Sequence, residues 1–571
     1  ASSPTTSRPS PGTGPARSII EALAVFMQPF ALRTSPARVV RPVPMPATRL
    51  MRPALVLLVF CTLLLDCGRH ELHAAQVLRL GMEAGAPAVL DPHLCTGADA
   101  VIADMAFNAL LRFRPGDSAV IEPDLAEALP KPKIEGGKQV WTFALKKGVM
   151  FQPVPKRAAL EMKSDDVVYS LKKAADPLRS AYAYHYAGMS FRAQGPYTVQ
   201  VVLDKPMSTT LFLPRFADRA GGAVLCRKAS EDPCAQDLQR PPVGTGPFAF
   251  KDTSTPGVIA LEAHKEYFRG EPRLDGVEVV YLPDSFACEQ AFRRGELHLL
   301  CGQRSSRWIE KAASWDATTV EVFGPAESLY LVFNTRSGPL SDRKARQAIA
   351  HALARREFVD LFGEAVADRL HAHVPPDVAG AINEKDIRAL GLAYDTDLTL
   401  ARRLLGQALA AGRPAIRIEC APQEGERALY EVLRRRLERI GIAVILGDPA
   451  AESGRGAQSV GQTLEFRWAV PATADKLLTS LLAEPDSSAP GVPGYRKLDT
   501  MLEAARRETG LKKQQEIWRH AQLKLLQDMA VYPICTTRYV VARKYSVDYG
   551  YALSNCHTPV PPITEKTCLQ Q

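Results

Sequence analysis

Two histidines lie close together in the second half of the chain, at His371 and His373. Imidazole is a common ligand of transition metals, so the pair would supply two ligands if both rings faced one site. An acidic pair, Asp165 and Asp166, has the residue type used in general acid and base catalysis. That pair opens a segment ending in lysines, which is typical of a helix whose dipole favours acids in its first turn. We therefore interpret the acidic pair as a helix start and the histidine pair as a polar loop, with metal ligation as the alternative.

The common catalytic patterns are missing from the sequence. It has no H-E-x-x-H, no G-x-S-x-G elbow, no phosphate loop and no C-x-x-C pair. The run Gly244-Thr245-Gly246 is too short for a dinucleotide fingerprint and predicts a tight turn. We predict a binding protein without catalytic residues, cofactor or resident metal, and keep an exported enzyme with an unrecognised site as an alternative.

The N-terminal segment has the features of an export signal. Residues 1–50 are rich in Pro, Ser, Ala and Arg, which predicts a disordered extension or a start placed upstream of Met51. The apolar run Ala54–Leu65 is too short to span a bilayer and is followed by small residues at Ala74-Ala75. Residues 51–75 are therefore predicted to be a signal peptide that directs the chain to the periplasm. Lipid attachment at Cys67 is not expected, because Asp66 precedes it.

Charge and cysteine content limit the class of protein. The formal net charge is +9, but residues 76–571 carry 63 basic and 59 acidic residues, so a nucleic-acid partner is not expected. Nine of the eleven cysteines remain after cleavage, and pairs of them are candidate disulfides in an exported chain. The short Cys226–Cys234 loop is the best candidate, and Cys556 with Cys568 is the next.

The remaining chain alternates between strand and helix patterns, which predicts α/β layers. The strongest predicted strands are Val140–Leu145, Gly276–Leu282 and Leu329–Phe333. Other predicted elements include a helix over Val101–Leu111 and one over Asp284–Gly295. Two α/β bodies with a crevice between them are the simplest arrangement, and ligands favour such crevices.

Several segments resemble one family, the extracellular solute-binding proteins of family 5, which serve ABC importers of dipeptides, oligopeptides and nickel. The resemblance runs from about residue 77 to about residue 548 and keeps the order and spacing of the family's blocks. The blocks that carry it are Ala88–His93, Trp141–Phe151, Lys163–Ser170, Pro242–Phe248, Tyr267–Gly270, Leu331–Thr335 and Arg346–Ile349.

The resemblance implies a two-lobed α/β periplasmic binding protein, of type II and cluster C, with a hinge and a ligand cleft between the lobes. Lobe I would comprise residues 76–324, with a family-specific subdomain at about 111–229, and would be completed by residues 529–571. Lobe II would comprise residues 325–528. The partners implied are a small solute and an ABC permease in the inner membrane, and a monomer is expected.

The chain departs from the family where peptide-binding members hold the peptide's α-ammonium. Those members place an aspartate shortly after a tryptophan, and here Trp468 is followed by Val470 at that position. A buried ammonium without a counter-charge is costly, so an ordinary peptide N-terminus should bind poorly unless Asp475 substitutes. Trp468 is expected to line the cleft. The ligand is therefore expected to be peptide-like or, more in keeping with Val470, a small molecule without a free ammonium.

Three histidines complete the predicted ligand contacts. His93 falls where the family brings lobe I to the cleft, with a structural turn as the alternative. His371 and His373 precede Pro375-Pro376 in a loop that runs near the cleft in the family. They motivate a second hypothesis, a receptor for nickel or a metal chelate. A receptor that presents its ligand to a sensor instead of a permease has the same sequence pattern. Arg346 is expected to pack within lobe II and Asn334 to be structural.

Overall fold

The computed structural model describes residues 75–570, apart from 84, 86–88, 96–99, 154–157, 232–241, 252–254, 410–416, 421–425, 447–463, 471–472, 483–494 and 557. The predicted extension at 1–50, the signal peptide before Ala75, Cys67 and Cys234 lie outside these residues. Within them, no helix is both long enough and apolar enough to cross a membrane.

The described chain contains strands and helices in alternation. The strands are β1 (Val77–Glu83), β2 (Leu111–Arg114), β3 (Asp117–Pro123), β4 (Pro132–Glu135), β5 (Lys138–Ala144), β6 (Met189–Ala193), β7 (Thr198–Leu203), β8 (Phe248–Phe250), β9 (Val258–Ala263), β10 (Gly276–Leu282), β11 (Leu299–Cys301), β12 (Thr318–Phe323), β13 (Ser328–Phe333), β14 (Ala367–Arg369), β15 (Arg417–Cys420), β16 (Ala443–Leu446), β17 (Leu464–Ala469), β18 (Val531–Thr537), β19 (Tyr539–Lys544), β20 (Val547–Asp548) and β21 (Cys568–Leu569). The α-helices are Ala100–Ala106, Ser164–Ala174, Thr209–Arg215, Arg219–Gly222, Arg227–Ser230, Ser285–Arg293, Ser306–Ala313, Arg343–Ala352, Arg355–Phe362, Glu384–Ala389, Leu398–Leu409, Arg427–Glu438, Ala474–Leu482, Asp499–Arg507 and Leu511–Asp528. Short 3-10 turns cover Ala183–Tyr186 and Pro339–Ser341.

Lobe I is built on a seven-stranded sheet with the order β12-β19-β11-β1-β10-β9-β8. β1 runs parallel to β10 and β11, and the remaining pairs are antiparallel. Both faces of the sheet are covered, because alternate residues of β19 point to opposite sides: Val541 packs in one apolar cluster and Val540 with Ala542 in another.

A subdomain with its own core lies between β1 and β8. Its sheet has the order β4-β5-β7-β6, and helix Ser164–Ala174 begins with the two acids and ends with the two lysines, as predicted. Trp141 stacks on Phe212 with ring centroids 4.0 Å apart, which fixes helix Thr209–Arg215 against the sheet. This helix lies on the surface of lobe I that faces lobe II.

The predicted turn at Gly244–Pro247 lies against the end of helix Ala100–Ala106. A Cβ atom added to Gly244 would come within 2.4 Å of the Ala106 carbonyl oxygen, so only glycine fits. The same carbonyl accepts a hydrogen bond from Gly246 N (3.1 Å). The helix predicted over Val101–Leu111 therefore stops at Ala106, and Leu111 begins β2.

Lobe II is built on a four-stranded sheet with the order β14-β18-β13-β17. Every residue of β13 is buried, and its alternate side chains belong to two different apolar clusters: Leu329, Leu331 and Phe333 in one, Tyr330 and Val332 in the other. Helices pack on both faces, which explains why β13 is a continuous apolar run. Arg346 is buried and donates to the carbonyls of Met529 and Asp528, as a packing residue would.

The lobes are joined at two crossings. The first runs from β12 to β13 through residues 324–327, and the second is Arg538, between β18 and β19. Because β18 pairs with β13 and β14, the lobe II sheet extends to Thr537, nine residues beyond the boundary expected at 528. The boundary at 528 was implied by the family resemblance, and the partners of the strand that follows helix Leu511–Asp528 are not visible in its apolar pattern.

Candidate functional site

The junction of the lobes brings a guanidinium onto an indole ring. Arg304 follows β11 in lobe I, and its guanidinium lies over the ring of Trp468 at 5.3 Å from the ring centroid. Arg304 Nη1 donates to Glu327 Oε2 (2.5 Å) and to Thr537 Oγ1 (3.2 Å). Glu327 is the last residue of the first crossing, and Thr537 directly precedes the second. One side chain therefore links lobe I, both crossings and the lobe II sheet.

Trp468 is held at the end of β17, the edge strand of the lobe II sheet. It pairs with Leu329, and Phe362 meets its ring edge-on at 5.8 Å. The ring is partly buried and packs against the lobe II core while Arg304 covers one of its faces. A partly buried aromatic ring beside a fixed cation is suited to contact with an apolar or anionic solute.

Val470 and Asp475 follow Trp468 along the chain and have different surroundings. Val470 lies one residue beyond β17, and 37% of its surface is exposed. Asp475 lies in the first turn of helix Ala474–Leu482, is only 8% exposed, and accepts a hydrogen bond of 2.8 Å from Arg506 Nε. The Asp475 carboxylate already has a counter-charge, so nothing in this arrangement favours its service as a second ammonium anchor.

His93 is a fully buried residue of lobe I. Its Nε2 lies 3.0 Å from the carbonyl oxygen of Ala223, and its Nδ1 is buried without a hydrogen-bond partner among the described residues. Burial, with a smaller contribution from the charge of Lys173, lowers the pKa of His93 to about 4. The neighbouring Asp91 pairs with that lysine. These contacts describe a neutral, structural imidazole in a turn.

His371 and His373 have different partners at Nε2, and Nδ1 of each is buried without a hydrogen-bond partner among the described residues. Nε2 of His371 lies 3.3 Å from Glu384 Oε1, whereas Nε2 of His373 lies 3.0 Å from the carbonyl oxygen of Val531. Burial is the main cause that lowers the pKa of each to about 4. Among the residues that the structure describes, no three His, Cys, Asp or Glu side chains converge as metal ligands.

A cavity of about 210 Å³ lies in lobe I at the carboxyl ends of the parallel strands β1 and β11. Ligands of open α/β sheets bind outside the carboxyl ends of the strands, so this position is suited to a ligand. The residues that line the cavity include Met82, Cys288, Cys301, Gln303 and Trp308. Gln303 directly precedes Arg304 in the sequence.

Five of the described cysteines form no disulfide in this structure: Cys288, Cys301, Cys535, Cys556 and Cys568. Sγ of Cys556 lies 3.1 Å from the hydroxyl of Thr558, and Cys568 belongs to β21, so the pair expected at the C-terminus is not bonded. Burial raises the pKa of Cys301 to about 12 and of Cys288 to about 11, so neither thiol is a nucleophile near neutral pH.

A second contact joins the lobes far in sequence from the crossings. Thr210 Oγ1, at the start of helix Thr209–Arg215, donates to Gln514 Oε1 on helix Leu511–Asp528 (2.6 Å). Gln514 Nε2 donates to Ser208 Oγ (2.6 Å). The lobes of this structure therefore touch one another.

Sequence reasoning did not identify Arg304, Glu327 or Gln514. Each is a single polar residue without a motif, and its partners lie in distant segments that are brought together by the two crossings. Trp468 was predicted because its position in a family block could be matched. An expected aspartate at 470 was found missing in the same way.

Comparisons with known proteins agree with this architecture. The sequence model of "Bacterial extracellular solute-binding proteins, family 5 Middle" matches residues 120–463. "Probable di/tripeptide-binding protein 5" of Pseudomonas aeruginosa is 28% identical over 320 residues, or 53% of this chain and 58% of that protein. The chain thus spans little more than half the length of this curated relative. A "Dipeptide-binding protein" of another P. aeruginosa strain is 23% identical over 88% of this chain and 97% of its own length.

A solved structure also shares the fold. MoaA of A. tumefaciens R10, determined in complex with mannopinic acid, has a TM-score of 0.71 and 27% sequence identity. The superposition covers 87% of this chain and all of that one. The two-lobed α/β fold expected from the sequence is therefore confirmed.

Proposed function

Because the chain belongs to the bacterial extracellular solute-binding proteins of family 5, we propose that it is the binding component of an ABC importer. It captures a small solute between its lobes and delivers it to a permease in the inner membrane. Export to the periplasm and action as a monomer are parts of the same proposal. Closure removes the solute from water and changes the surface that faces the membrane, with no bond broken.

The observation that carries this proposal is the lobe junction. Two separate sheets are linked by crossings at 324–327 and at Arg538, and Arg304 and Trp468 meet from opposite lobes beside them. Hinge closure requires such a pair of compact bodies joined by a few residues that absorb the rotation. The cavity at the carboxyl ends of β1 and β11 is lined by Gln303, the residue before Arg304.

We propose further that the solute lacks a free α-ammonium. Val470 supplies no charge at the position where peptide-binding members are expected to have an aspartate, and Asp475 is paired with Arg506. A relative is named for di- and tripeptides, but the MoaA structure holds mannopinic acid, so both classes of solute belong in the test. A metal chelate is disfavoured because His371 and His373 have separate partners.

The test is calorimetry of the full chain with Met-Leu, N-acetyl-Met-Leu and mannopinic acid. The proposal expects heat of binding from N-acetyl-Met-Leu, with an affinity at least as high as that of Met-Leu. Mannopinic acid keeps a secondary amine at its α-carbon and serves as the probe for N-substituted amino acids. Tight binding of Met-Leu with none of its acetylated form would contradict the proposed solute class. A nickel–histidine chelate serves as the probe for the metal alternative.

A further inference from the structure

The interlobe contact at Ser208, Thr210, Arg506 and Gln514 is a set of connected hydrogen bonds, which we name the clasp. The side chain of Gln514 bridges the lobes, since it accepts from Thr210 Oγ1 and donates to Ser208 Oγ, each at 2.6 Å. A backbone hydrogen bond also links the lobes: Ser208 N donates to the carbonyl oxygen of Arg506 (3.3 Å). Ser208 and Thr210 belong to lobe I, and Arg506 and Gln514 belong to lobe II.

Two residues of the clasp, Gln514 and Ser208, are buried where the lobes meet. Gln514 is 3% exposed and Ser208 is 2% exposed, and buried polar groups of this kind are costly to leave unpaired. Gln514 Nε2 also donates to the carbonyl oxygen of Ala505 within lobe II (2.9 Å). That bond holds the amide in place when the lobes separate, so the lobe II half of the clasp is already oriented when they meet.

Lys476 of lobe II also acts electrostatically on groups of lobe I. Lys476 of lobe II lies close enough to lobe I to affect two of its groups: it contributes to the low pKa of His185, about 3, after burial itself. It also opposes the effect of burial on Asp218, whose pKa is raised to about 6. The attraction between Lys476 and Asp218 favours the closed arrangement.

We propose that the clasp holds the lobes closed and sets the rate at which they reopen. Its hydrogen bonds involve neither Arg304 nor Trp468, so the clasp can be altered without changing those two residues. The second part, that reopening limits solute release, rests on the proposed function. The first part concerns the chain alone and is tested without any solute.

The test is hydrogen–deuterium exchange of the full chain, read at the Ser208 amide. That amide donates across the gap, so it exchanges when the lobes part. Gln514→Ala removes the bridging side chain, and we expect the protection of the Ser208 amide to fall about tenfold. The matched control is Gln515→Ala, the same change at the next residue of the helix, which takes no part in these bonds. Equal protection of Ser208 in the two variants would overturn the proposal.

A second variant covers the case in which Gln514→Ala does not fold. Thr210→Val is nearly isosteric, removes one hydroxyl at an exposed position, and is expected to reduce Ser208 protection about threefold. The Leu331 amide in β13 reports global opening, and its protection should be unchanged. An equal loss at Leu331 and Ser208 would mean general destabilisation and would contradict the clasp. A failed solute screen leaves these results untouched, so the clasp and the proposed function fail separately.

Discussion

In the proposed solute preference, Val470 is the residue that distinguishes this chain from a receptor of ordinary peptides. Its isopropyl group is 37% exposed just after Trp468, at the position where the family resemblance places a carboxylate. An ammonium brought there would lose water without gaining a counter-charge. The charge at this one position should therefore set the preference between free and acylated amines.

Val470→Asp should shift that preference toward free amines. A hydrogen bond between charged groups is worth enough to raise the affinity for Met-Leu relative to N-acetyl-Met-Leu by about tenfold or more. Val470→Asn is the control, since it is polar and similar in size to Asp but uncharged. Calorimetry of both variants measures the ratio, and an unchanged ratio in the Asp variant would place the amine elsewhere.

His373 should make the fold less stable in acid. Its pKa is lowered from 6.5 to about 4 by burial, so the unfolded chain takes up its proton at a higher pH than the folded chain does. The free energy of unfolding is therefore unaffected by this group above pH 6.5, and it decreases as the pH falls toward 4. Between pH 7 and 4.5, this one group should remove about 2 kcal/mol from the free energy of unfolding.

Urea unfolding of His373→Gln checks this prediction, because glutamine can still donate to the Val531 carbonyl but does not titrate in this range. The variant should lose less stability than the wild type over that interval. The exposed His520→Gln is the matched control and should behave as the wild type does. The same pH dependence in His373→Gln and the wild type would show that His373 is not the group responsible.

At the scale of elements, one ion pair ties two helices of lobe II. Arg506, near the end of helix Asp499–Arg507, donates to Asp475 at the start of helix Ala474–Leu482. Arg506→Met leaves the nearly buried Asp475 carboxylate without its partner, and should lower the free energy of unfolding by about 2 kcal/mol, after allowance for the partial exposure of Arg506.

Adding Asp475→Asn to the Arg506→Met variant should restore most of the lost free energy of unfolding, because a neutral amide needs no counter-charge. Denaturant unfolding of the two single variants and the double variant gives the comparison. Asp475→Asn alone should leave solute preference unchanged. A loss of solute binding in that variant would return Asp475 to the site.

The elements themselves were largely predictable from the sequence, whereas their partners were not. The apolar alternation of Gly276–Leu282 gave β10 with its exact bounds, and Asp284 caps the helix Ser285–Arg293 by accepting from Ala287 N. Helix Ala100–Ala106 was predicted too long, because its end is set by the glycine turn that packs on Ala106. Local periodicity carries no record of such distant contacts.

In the candidate site, too, residues within a family block could be predicted from the sequence, whereas contacts between distant segments could not. Trp468 and the absence of an aspartate at 470 were identified by position within a matched block, and their role in solute binding stays a prediction. Arg304 was not found, because its partners Glu327, Thr537 and Trp468 come together through the crossings and the pairing of β17 with β13. The three predicted histidines are instead neutral, mainly buried groups, a property decided by packing rather than by residue type.

At the scale of the whole molecule, the two crossings, the Arg304–Trp468 contact and the clasp describe one mechanism. In the proposed mechanism, the crossings allow rotation, the junction presents the solute contacts, and the clasp holds the lobes together. Only a ligand that binds the folded chain better than the unfolded one can stabilise it, and the size of that effect depends on concentration.

The most direct test of solute capture is a thermal-shift measurement of the full chain against free and N-acetylated di- to pentapeptides, mannopinic acid, other organic acids, sugars and nickel chelates. A solute at 100 times its Kd should stabilise the fold by about 2.7 kcal/mol, which raises the melting temperature measurably. We predict such a shift from at least one solute without a free α-ammonium, and its loss in Trp468→Ala. Shifts from free peptides alone, or a shift that persists in Trp468→Ala, would contradict the account.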